Sequence, residues 1–117
     1  MRAVLCHEWG AVEGLQLGDA PPPIPADGEV VIAVRAVGIN YADSIMVAGR
    51  YQTKPPLPFS PGLEAAGTVA ACGDRVTRFR PGDRVMAILA HGGLAELAVA
   101  REAETFAIPD GMSFEEA

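Results

Sequence analysis

Short apolar runs separated by glycine and proline make up most of this chain. In the clearest run, Glu29–Val37, the side chains of Val30 and Ile32 fall on one face and those of Val31 and Ala33 fall on the other. A strand that is apolar on both faces is typical of the middle of a sheet, because protein then covers it on both sides. The pattern therefore predicts a central β-strand here.

Further apolar runs predict more short strands. They lie at residues 2–8, 15–17, 63–71, 84–89, 94–99 and 105–108. Inside one of them, Gly67 indicates a bulge or the close approach of another backbone. About seven short strands joined by glycine- and proline-rich turns predict a mainly β domain that resembles a small barrel.

One short helix interrupts the strands. Asn40 can cap it through the side-chain oxygen, and Asp43, three residues later, places negative charge near the positive end of the helix. Tyr41 and Ile45 then share one side of the helix, and Gly49 fits the position just after its end. The pattern predicts a helix of about two turns.

Two other segments stand out. Residues 51–62 contain four prolines, which no regular element tolerates, so we expect a long loop of the kind that is usually functional or mobile. At the C-terminus, Ser113 and Glu116 form a capping box, which predicts the start of a second helix. Because that helix has almost no room before residue 117, we expect the sequence to be one domain of a longer polypeptide.

Charge and hydropathy exclude several classes of partner. The chain has 117 residues, with nine Lys and Arg against fifteen Asp and Glu, a net charge of −6. Nucleic-acid binding needs a basic surface, and Asp74 and Asp83 dilute the arginines of residues 75–84. No apolar run approaches the roughly 20 residues of a membrane span, and no secretory signal is recognisable. We therefore expect a cytoplasmic protein with neither nucleic-acid nor membrane partners.

Standard catalytic motifs are missing from the sequence. Cys6 and Cys72 lie too far apart to share a metal-binding motif or to make a disulfide framework. His7 is predicted at a strand end and His91 in a surface turn, neither with an acidic partner at a catalytic spacing. There is no G-x-G-x-x-G turn, no P-loop and no nucleophilic-serine motif.

The remaining candidate chemistry surrounds the proline-rich loop. The polar and aromatic residues concerned are Asn40, Tyr41, Asp43, Tyr51 and Glu64. A strand followed by a helix cap and a long loop is a common way to build a site. By residue type alone, however, Asn40 is a helix cap and Tyr51 is a loop aromatic.

Four segments of the chain occur in a familiar order. They are residues 37–43 (Val-Gly-Ile-Asn-Tyr-Ala-Asp), 49–51 (Gly-Arg-Tyr), 61–67 (Pro-Gly-Leu-Glu-Ala-Ala-Gly) and 81–85 (Pro-Gly-Asp-Arg-Val). With residues 108–117, they resemble the N-terminal half of the medium-chain dehydrogenase/reductase superfamily, most closely its zinc-independent quinone oxidoreductase branch. The resemblance covers essentially the whole chain.

This resemblance implies a domain organisation. Residues 1–110 would form a GroES-like catalytic domain, an irregular β-barrel with one or two short helices. Residues 111–117 would begin a linker helix toward a nucleotide-binding domain that is absent from this sequence. The full-length protein would form a homodimer through that absent domain.

Departures from the family pattern indicate that zinc is not used. Zinc alcohol dehydrogenases of the superfamily carry a cysteine where Asn40 stands and a histidine where Leu63 stands. Catalytic zinc takes thiolate and imidazole ligands, which asparagine and leucine cannot replace. The cysteine-rich lobe for a second zinc is also missing after residue 85. We therefore expect no metal site.

The resemblance also implies a reaction. Without a Lewis acid, alcohol oxidation is difficult, so the expected reaction is hydride transfer from NADPH to a quinone or an activated C=C bond. Tyr51 corresponds to the proton donor proposed for related enoyl-thioester reductases, since a phenol is protonated at neutral pH. Asn40 would lie beside the nicotinamide, and Tyr41 and Phe59 would line the acceptor pocket. Glu64 belongs to the same pocket, with its role left open.

Two other interpretations stay open. A GroES-like fold also allows a stand-alone binding or scaffold module, such as a co-chaperonin, because a fold does not determine a function. A fragment of a zinc alcohol dehydrogenase is the weaker third alternative. The motifs favour the zinc-free reductase, of which these 117 residues alone would be inactive.

Overall fold

The computed structural model describes residues 1–117 throughout. The chain forms seven strands in two antiparallel sheets. They are β1 (Arg2–Leu5), β2 (Gln16–Asp19), β3 (Glu29–Val37), β4 (Glu64–Cys72), β5 (Arg84–Ile88), β6 (Leu97–Arg101) and β7 (Thr105–Ala107). β1 pairs with β2, and the other strands lie in the order β6-β3-β4-β5-β7. The larger sheet curls into a half-barrel, which confirms the predicted mainly β class.

The predicted central strand is at the centre of the larger sheet. β3 pairs with β4 on one side and with β6 on the other. Val30 and Ile32 are fully buried, and Val31, on the opposite face, is 3% exposed. Val30 and Ile32 belong to the main core, which also contains Val69 and Val85. The two-sided apolar pattern of β3 therefore reflects true burial on both faces.

Gly67 marks an irregular pairing, as the sequence predicted. It lies opposite Val34, and the register of β3 against β4 shifts between Val34 and Ala36. A Cβ atom at Gly67 would overlap the carbonyl oxygen of Ala33. Only glycine lets the two backbones come this close.

Two predicted strands have different ends in the structure. The strand predicted at residues 94–99 begins at Leu97, because Leu94 pairs elsewhere: its N–H donates to the Pro61 carbonyl (2.9 Å), and its own carbonyl accepts from the N–H of Val4 (2.8 Å). The first strand was expected to reach residue 8 but ends at Leu5. Leu94 therefore bonds to residues outside the larger sheet.

The predicted helix is α1 (Tyr41–Val47), with Asn40 in extended backbone as its N-cap. It is the only α-helix, and two 3₁₀ turns lie at Val12–Gly14 and Glu102–Glu104. None of these helices is long enough to cross a bilayer.

The C-terminal capping box is formed, but it opens a single turn. Glu116 accepts from the N–H of Ser113 at 2.9 Å, and the Ser113 hydroxyl accepts from the N–H of Glu116 at 3.1 Å. The N–H of Ala117 donates to the Ser113 carbonyl at 3.2 Å. The ring of Phe114, inside this turn, has the guanidinium carbons of Arg35 and Arg84 at 5.2 and 4.6 Å from its centroid. The turn is therefore held against β3 and β5.

Candidate functional site

A buried carboxylate joins the start of α1 to the end of the long loop. The side chain of Asp43 is 6% exposed. It accepts hydrogen bonds from the N–H of Asn40 at 2.8 Å and from the N–H of Gly62 at 3.0 Å. The first bond joins Asp43 to the N-cap residue, at the end of the helix where its negative charge was predicted to lie. The second, to a residue nineteen positions away, was not predictable from local sequence.

The residues at the start of α1 face solvent. Asn40 is exposed, Ile39 is 69% exposed and Tyr41 is 82% exposed. Two exposed large apolar side chains on either side of Asn40 mark a surface that is suited to contact a ligand or another protein surface. The position of Tyr41 is therefore compatible with its expected contact with an acceptor.

Tyr51 lies just beyond the other end of α1. The N–H groups of Gly49 and Arg50 donate back into the helix, to the carbonyls of Met46 and Ile45, both at 3.0 Å. The Tyr51 side chain is half-buried and packs on the small core formed by Cys6, Met46, Val47 and Phe59. Its hydroxyl is engaged by no protein atom and is not among the buried unpaired polar atoms, so it is open to solvent.

Asn40 and Tyr51 flank α1 at opposite ends and are therefore not in contact with each other. A helix of seven residues is about 10 Å long, and the two residues lie at opposite ends of it. The structure brings Asn40 close to Gly62 through Asp43, and Tyr51 close to the small core.

Phe59 lies in the interior and not on the surface of a pocket, where it was expected. It is 4% exposed. Its backbone pairs with Cys6 through two hydrogen bonds, of 2.7 and 3.1 Å, which turn the ring into the small core. The ring centroids of Trp9 and His91 lie 5.7 and 5.9 Å from that of Phe59. Phe59 supports the loop by packing.

Glu64 lies apart from Tyr51, at a separate cleft. Its side chain rests against Gly38, at the end of β3. The cleft has a volume of about 420 Å³ and is walled by the ends of β3, β4 and β5, by Phe106 and by the C-terminal turn. Ten of its thirteen lining residues are hydrophobic, and its only ionisable ones are Glu64 and Glu115.

The two glutamates determine which ligands this cleft can bind. An apolar ring of nicotinamide or quinone size fits a space of this volume. Among the side chains that line the cleft, two carboxylates disfavour the diphosphate of a dinucleotide, and the nearest cations, Arg35 and Arg84, lie over the ring of Phe114. The exposed amide of Asn40 lies two residues after Gly38, which lines the cleft.

His91 is more buried than the surface position that the sequence predicted. It lies in a turn, as predicted, but it is half-buried, and its Nδ1 is the one buried polar side-chain atom without a partner. Burial lowers the pKa of His91 below its ordinary value, and the backbone of Ser60 partly opposes the shift. The turn folds inward because the N–H of Gly93 donates to the carbonyl of Gly62 at 3.1 Å. The burial of His91 therefore depends on a long-range contact and could not be predicted from the local sequence.

The two thiols are poor nucleophiles. Burial raises the pKa of both Cys6 and Cys72, and the Cys6 thiol donates to the Glu8 carbonyl at 3.2 Å. The thiolate is the reactive form of cysteine, so a raised pKa lowers reactivity. No three His, Cys, Asp or Glu side chains are grouped so that they could hold a metal ion.

Residues 26–110 match the family described as "Alcohol dehydrogenase GroES-like domain". The chain belongs to this family. The "Quinone oxidoreductase" of Lama guanicoe is 40% identical to this GroES-like domain over 117 residues, which is 98% of this chain and 36% of that protein. The "Synaptic vesicle membrane protein VAT-1 homolog" of Rattus norvegicus is 40% identical over 119 residues, 100% of this chain and 30% of that protein.

Solved structures of quinone oxidoreductases share the fold of this GroES-like domain. That of Pseudomonas syringae pv. Tomato DC3000 superposes with a TM-score of 0.94 at 37% identity, over 99% of this chain and 36% of that one. The Escherichia coli enzyme complexed with NADPH gives a TM-score of 0.91 at 32% identity, over 98% and 35%. These matches confirm the resemblance to the medium-chain dehydrogenase/reductase superfamily. The GroES-like domain spans about a third of the length of the relatives it matches.

Proposed function

We propose that this domain is the catalytic-domain portion of an NADPH-dependent, zinc-free oxidoreductase that reduces quinones or activated C=C bonds. The observation that carries the proposal is the pair of solvent-facing groups, Asn40 and the Tyr51 hydroxyl, at the two ends of α1. Asp43 fixes the first end and the small core fixes the second. The similarity to quinone oxidoreductases supports the proposed class of substrate.

The residues would divide the work as follows. NADPH, when bound, supplies the hydride. The Tyr51 hydroxyl donates the proton that the reduced acceptor needs, because a phenol is protonated at neutral pH. Asn40 orients the carboxamide of the nicotinamide with an uncharged hydrogen-bonding group, and the exposed ring of Tyr41 offers a flat apolar surface to the acceptor. The apolar cleft beside Glu64 accepts a ring, whereas the phosphates bind elsewhere.

Zinc has no place in this proposal. Asn40 and Leu63 occupy the positions of the cysteine and the histidine of the zinc enzymes, and neither supplies a thiolate or an imidazole. Leu63 instead packs against the small core. Acceptors that are already electrophilic need no Lewis acid for activation.

The proposal extends to the whole protein. Residues 1–110 are the GroES-like domain, and the turn at residues 111–117 starts the linker to a nucleotide-binding domain. That second domain would hold the phosphates and form the homodimer, and the protein would be cytoplasmic. Its partners would be small quinones or enones, with neither nucleic acid nor membrane lipid among them.

The decisive experiment substitutes Tyr51 in the full-length protein. We expect Tyr51→Phe to lower kcat for an enone acceptor about 100-fold, the usual contribution of a general acid, with NADPH affinity unchanged. Ile24→Ala is the control, since Ile24 lies in the proline-rich segment of residues 21–25 and is 88% exposed. An unchanged kcat would remove Tyr51 from the mechanism. A ring-shaped assembly in native mass spectrometry would favour the scaffold interpretation.

A further inference from the structure

The loop that carries Tyr51 has almost no backbone attachment of its own. No backbone hydrogen bond joins residues 51–58 to the rest of the chain. Attachment resumes at Phe59, whose backbone pairs with Cys6. Six of these eight residues are exposed, and only Tyr51 and Pro55 have appreciable burial. The position of the loop therefore depends on side-chain packing at its base.

That packing comes from the N-terminal segment. Residues 6–10, which we call the N-terminal clasp, are hydrogen-bonded to the last residue of α1, which precedes the loop, and to Phe59, which follows it. At one end the N–H of Gly10 donates to the carbonyl of Val47 at 2.9 Å. At the other end Cys6 pairs with Phe59 at 2.7 and 3.1 Å. The clasp thus fixes the two points between which the loop is suspended.

Trp9 fills the space between these two points. Gly49 has a φ of 76°, and a Cβ atom there would lie 3.2 Å from Cγ and Cδ2 of Trp9. The Trp9 ring centroid is 5.7 Å from that of Phe59, and the Lys54 ammonium lies 5.9 Å from it. The ring therefore lies between Gly49, just before the loop, and Phe59, just after it, with the Lys54 ammonium over its face. Trp9 remains 37% exposed, so it forms an outer wall rather than a core residue.

We propose that Trp9 is a positioning residue for Tyr51, acting through the loop and not through contact with the substrate. The inference rests on the proposed function only for the role of Tyr51. The structural part, that Trp9 holds the Tyr51 side chain in place, stands on the contacts of the clasp. Two measurements separate the parts.

The first measurement follows Tyr51 directly by ¹⁹F NMR of the 117-residue chain labelled with 3-fluorotyrosine. The chain has two tyrosines, so two signals are expected, and Tyr41, 82% exposed, is the internal reference. In Trp9→Ala the Tyr51 signal should move toward that of Tyr41. In Trp9→Phe, which keeps an aromatic ring against Phe59 and Lys54, it should stay near its original position. Ile24→Ala is the matched control.

Other variants keep this test decisive if Trp9→Ala does not fold. Trp9→Leu retains bulk but removes the π-face, and Lys54→Met retains the aliphatic stem but removes the cation. Both should displace the Tyr51 signal less than Trp9→Ala would, and in the same direction. An unmoved Tyr51 signal in Trp9→Ala, or in Trp9→Leu if Trp9→Ala does not fold, would overturn the proposal. An equal displacement in Ile24→Ala would overturn it as well.

The second measurement is kinetic and uses the full-length protein. Trp9→Ala should lower kcat about tenfold while leaving KM for NADPH unchanged, and Trp9→Phe should recover most of the loss. The double variant Trp9→Ala/Tyr51→Phe should have the same kcat as Tyr51→Phe alone, because both changes act on the same proton transfer. Additive losses would contradict positioning through Tyr51. A protein without reductase activity would refute the proposed function, while the NMR result would still decide whether Trp9 holds the loop.

Discussion

At the scale of single residues, Asp43 joins two parts of the chain that are nineteen positions apart. A carboxylate offers two oxygens as acceptors, and here each oxygen takes one backbone N–H. An asparagine could keep only one of these bonds, since its other terminal atom is a donor. The hydrogen-bond requirement at this position is therefore for an acid and not merely for a polar residue.

We expect Asp43→Asn to lower the free energy of unfolding by about 2 kcal/mol, because one buried N–H loses its acceptor. Urea denaturation of the 117-residue chain measures it. Asp110→Asn, at an exposed position, should change the midpoint little. Equal midpoints in Asp43→Asn and the wild type would show that the second hydrogen bond contributes nothing to stability.

His91 makes the stability of the domain depend on pH. Its pKa is lowered mainly by burial, so below about pH 6.5 the unfolded chain binds more protons than the folded one. The free energy of unfolding should therefore fall as the pH falls from 7 toward 5.

The variant His91→Phe should flatten this slope, since it keeps a ring against Phe59 but does not titrate. Urea midpoints measured at several pH values test the expectation, with His7→Gln, at an exposed position, as the control. A slope that survives in His91→Phe would assign the effect to other groups.

Residue-scale predictions from sequence succeeded where the cause is local. The placement of Asp43 beside the N-cap is a relation between residues three apart, and a capping pattern indicates it. The burial of Phe59 and of His91 is not local. Phe59 is turned inward by Cys6, and His91 by the contact between Gly93 and Gly62. No periodicity carries that information.

At the scale of elements, apolar periodicity predicted all seven strands and α1. It predicted their ends less well, because the ends depend on partners. Leu94 is as apolar as Leu97, yet it pairs with Val4 and Pro61 instead of extending β6. A run of apolar residues indicates burial, whereas the neighbouring strand decides which backbone satisfies it.

The C-terminal turn is held by the ring of Phe114 and by a hydrogen bond that the Arg84 guanidinium donates to the Met112 carbonyl. Phe114 lies between Arg35 and Arg84, and exposed contacts of this kind contribute about 0.5–1 kcal/mol each. In Phe114→Ala we expect the amides of Glu116 and Ala117 to lose protection from hydrogen exchange, with a small loss of global stability.

Amide exchange followed by NMR tests this expectation. Phe106→Ala is the matched control, since Phe106 lines the same cleft without belonging to the turn. Protection that persisted in Phe114→Ala would show that the ring does not hold the turn, and would leave the hydrogen bond from Arg84 to the Met112 carbonyl as its attachment.

At the scale of the whole molecule, charge and cleft composition limit what the domain binds by itself. The net charge is −6, and the ionisable lining of the apolar cleft consists of two glutamates. Both features oppose an anionic dinucleotide. The mainly β fold and the family were accessible from sequence, because turns and motifs lie in order along the chain. The separation of Glu64 from Tyr51 could not be predicted from the sequence, because it depends on how the sheet curls.

We expect the 117-residue chain to bind NADPH only weakly, with Kd in the millimolar range or above, and to lack reductase activity. Isothermal titration calorimetry of the chain against NADPH measures the affinity. The full-length protein, titrated in parallel, provides the reference. A micromolar Kd for the 117 residues would contradict the conclusion that the phosphates bind elsewhere.

The unbonded backbone of residues 51–58 has one more consequence. Because no ladder or turn hydrogen bond fixes their spacing, the exposed residues between Tyr51 and Phe59 can change in length and composition without breaking the sheet. The segment therefore has two anchored ends and a middle whose residues can be replaced. Related proteins, or a designed library, could therefore diversify what the domain accepts while the clasp and the barrel stay as they are.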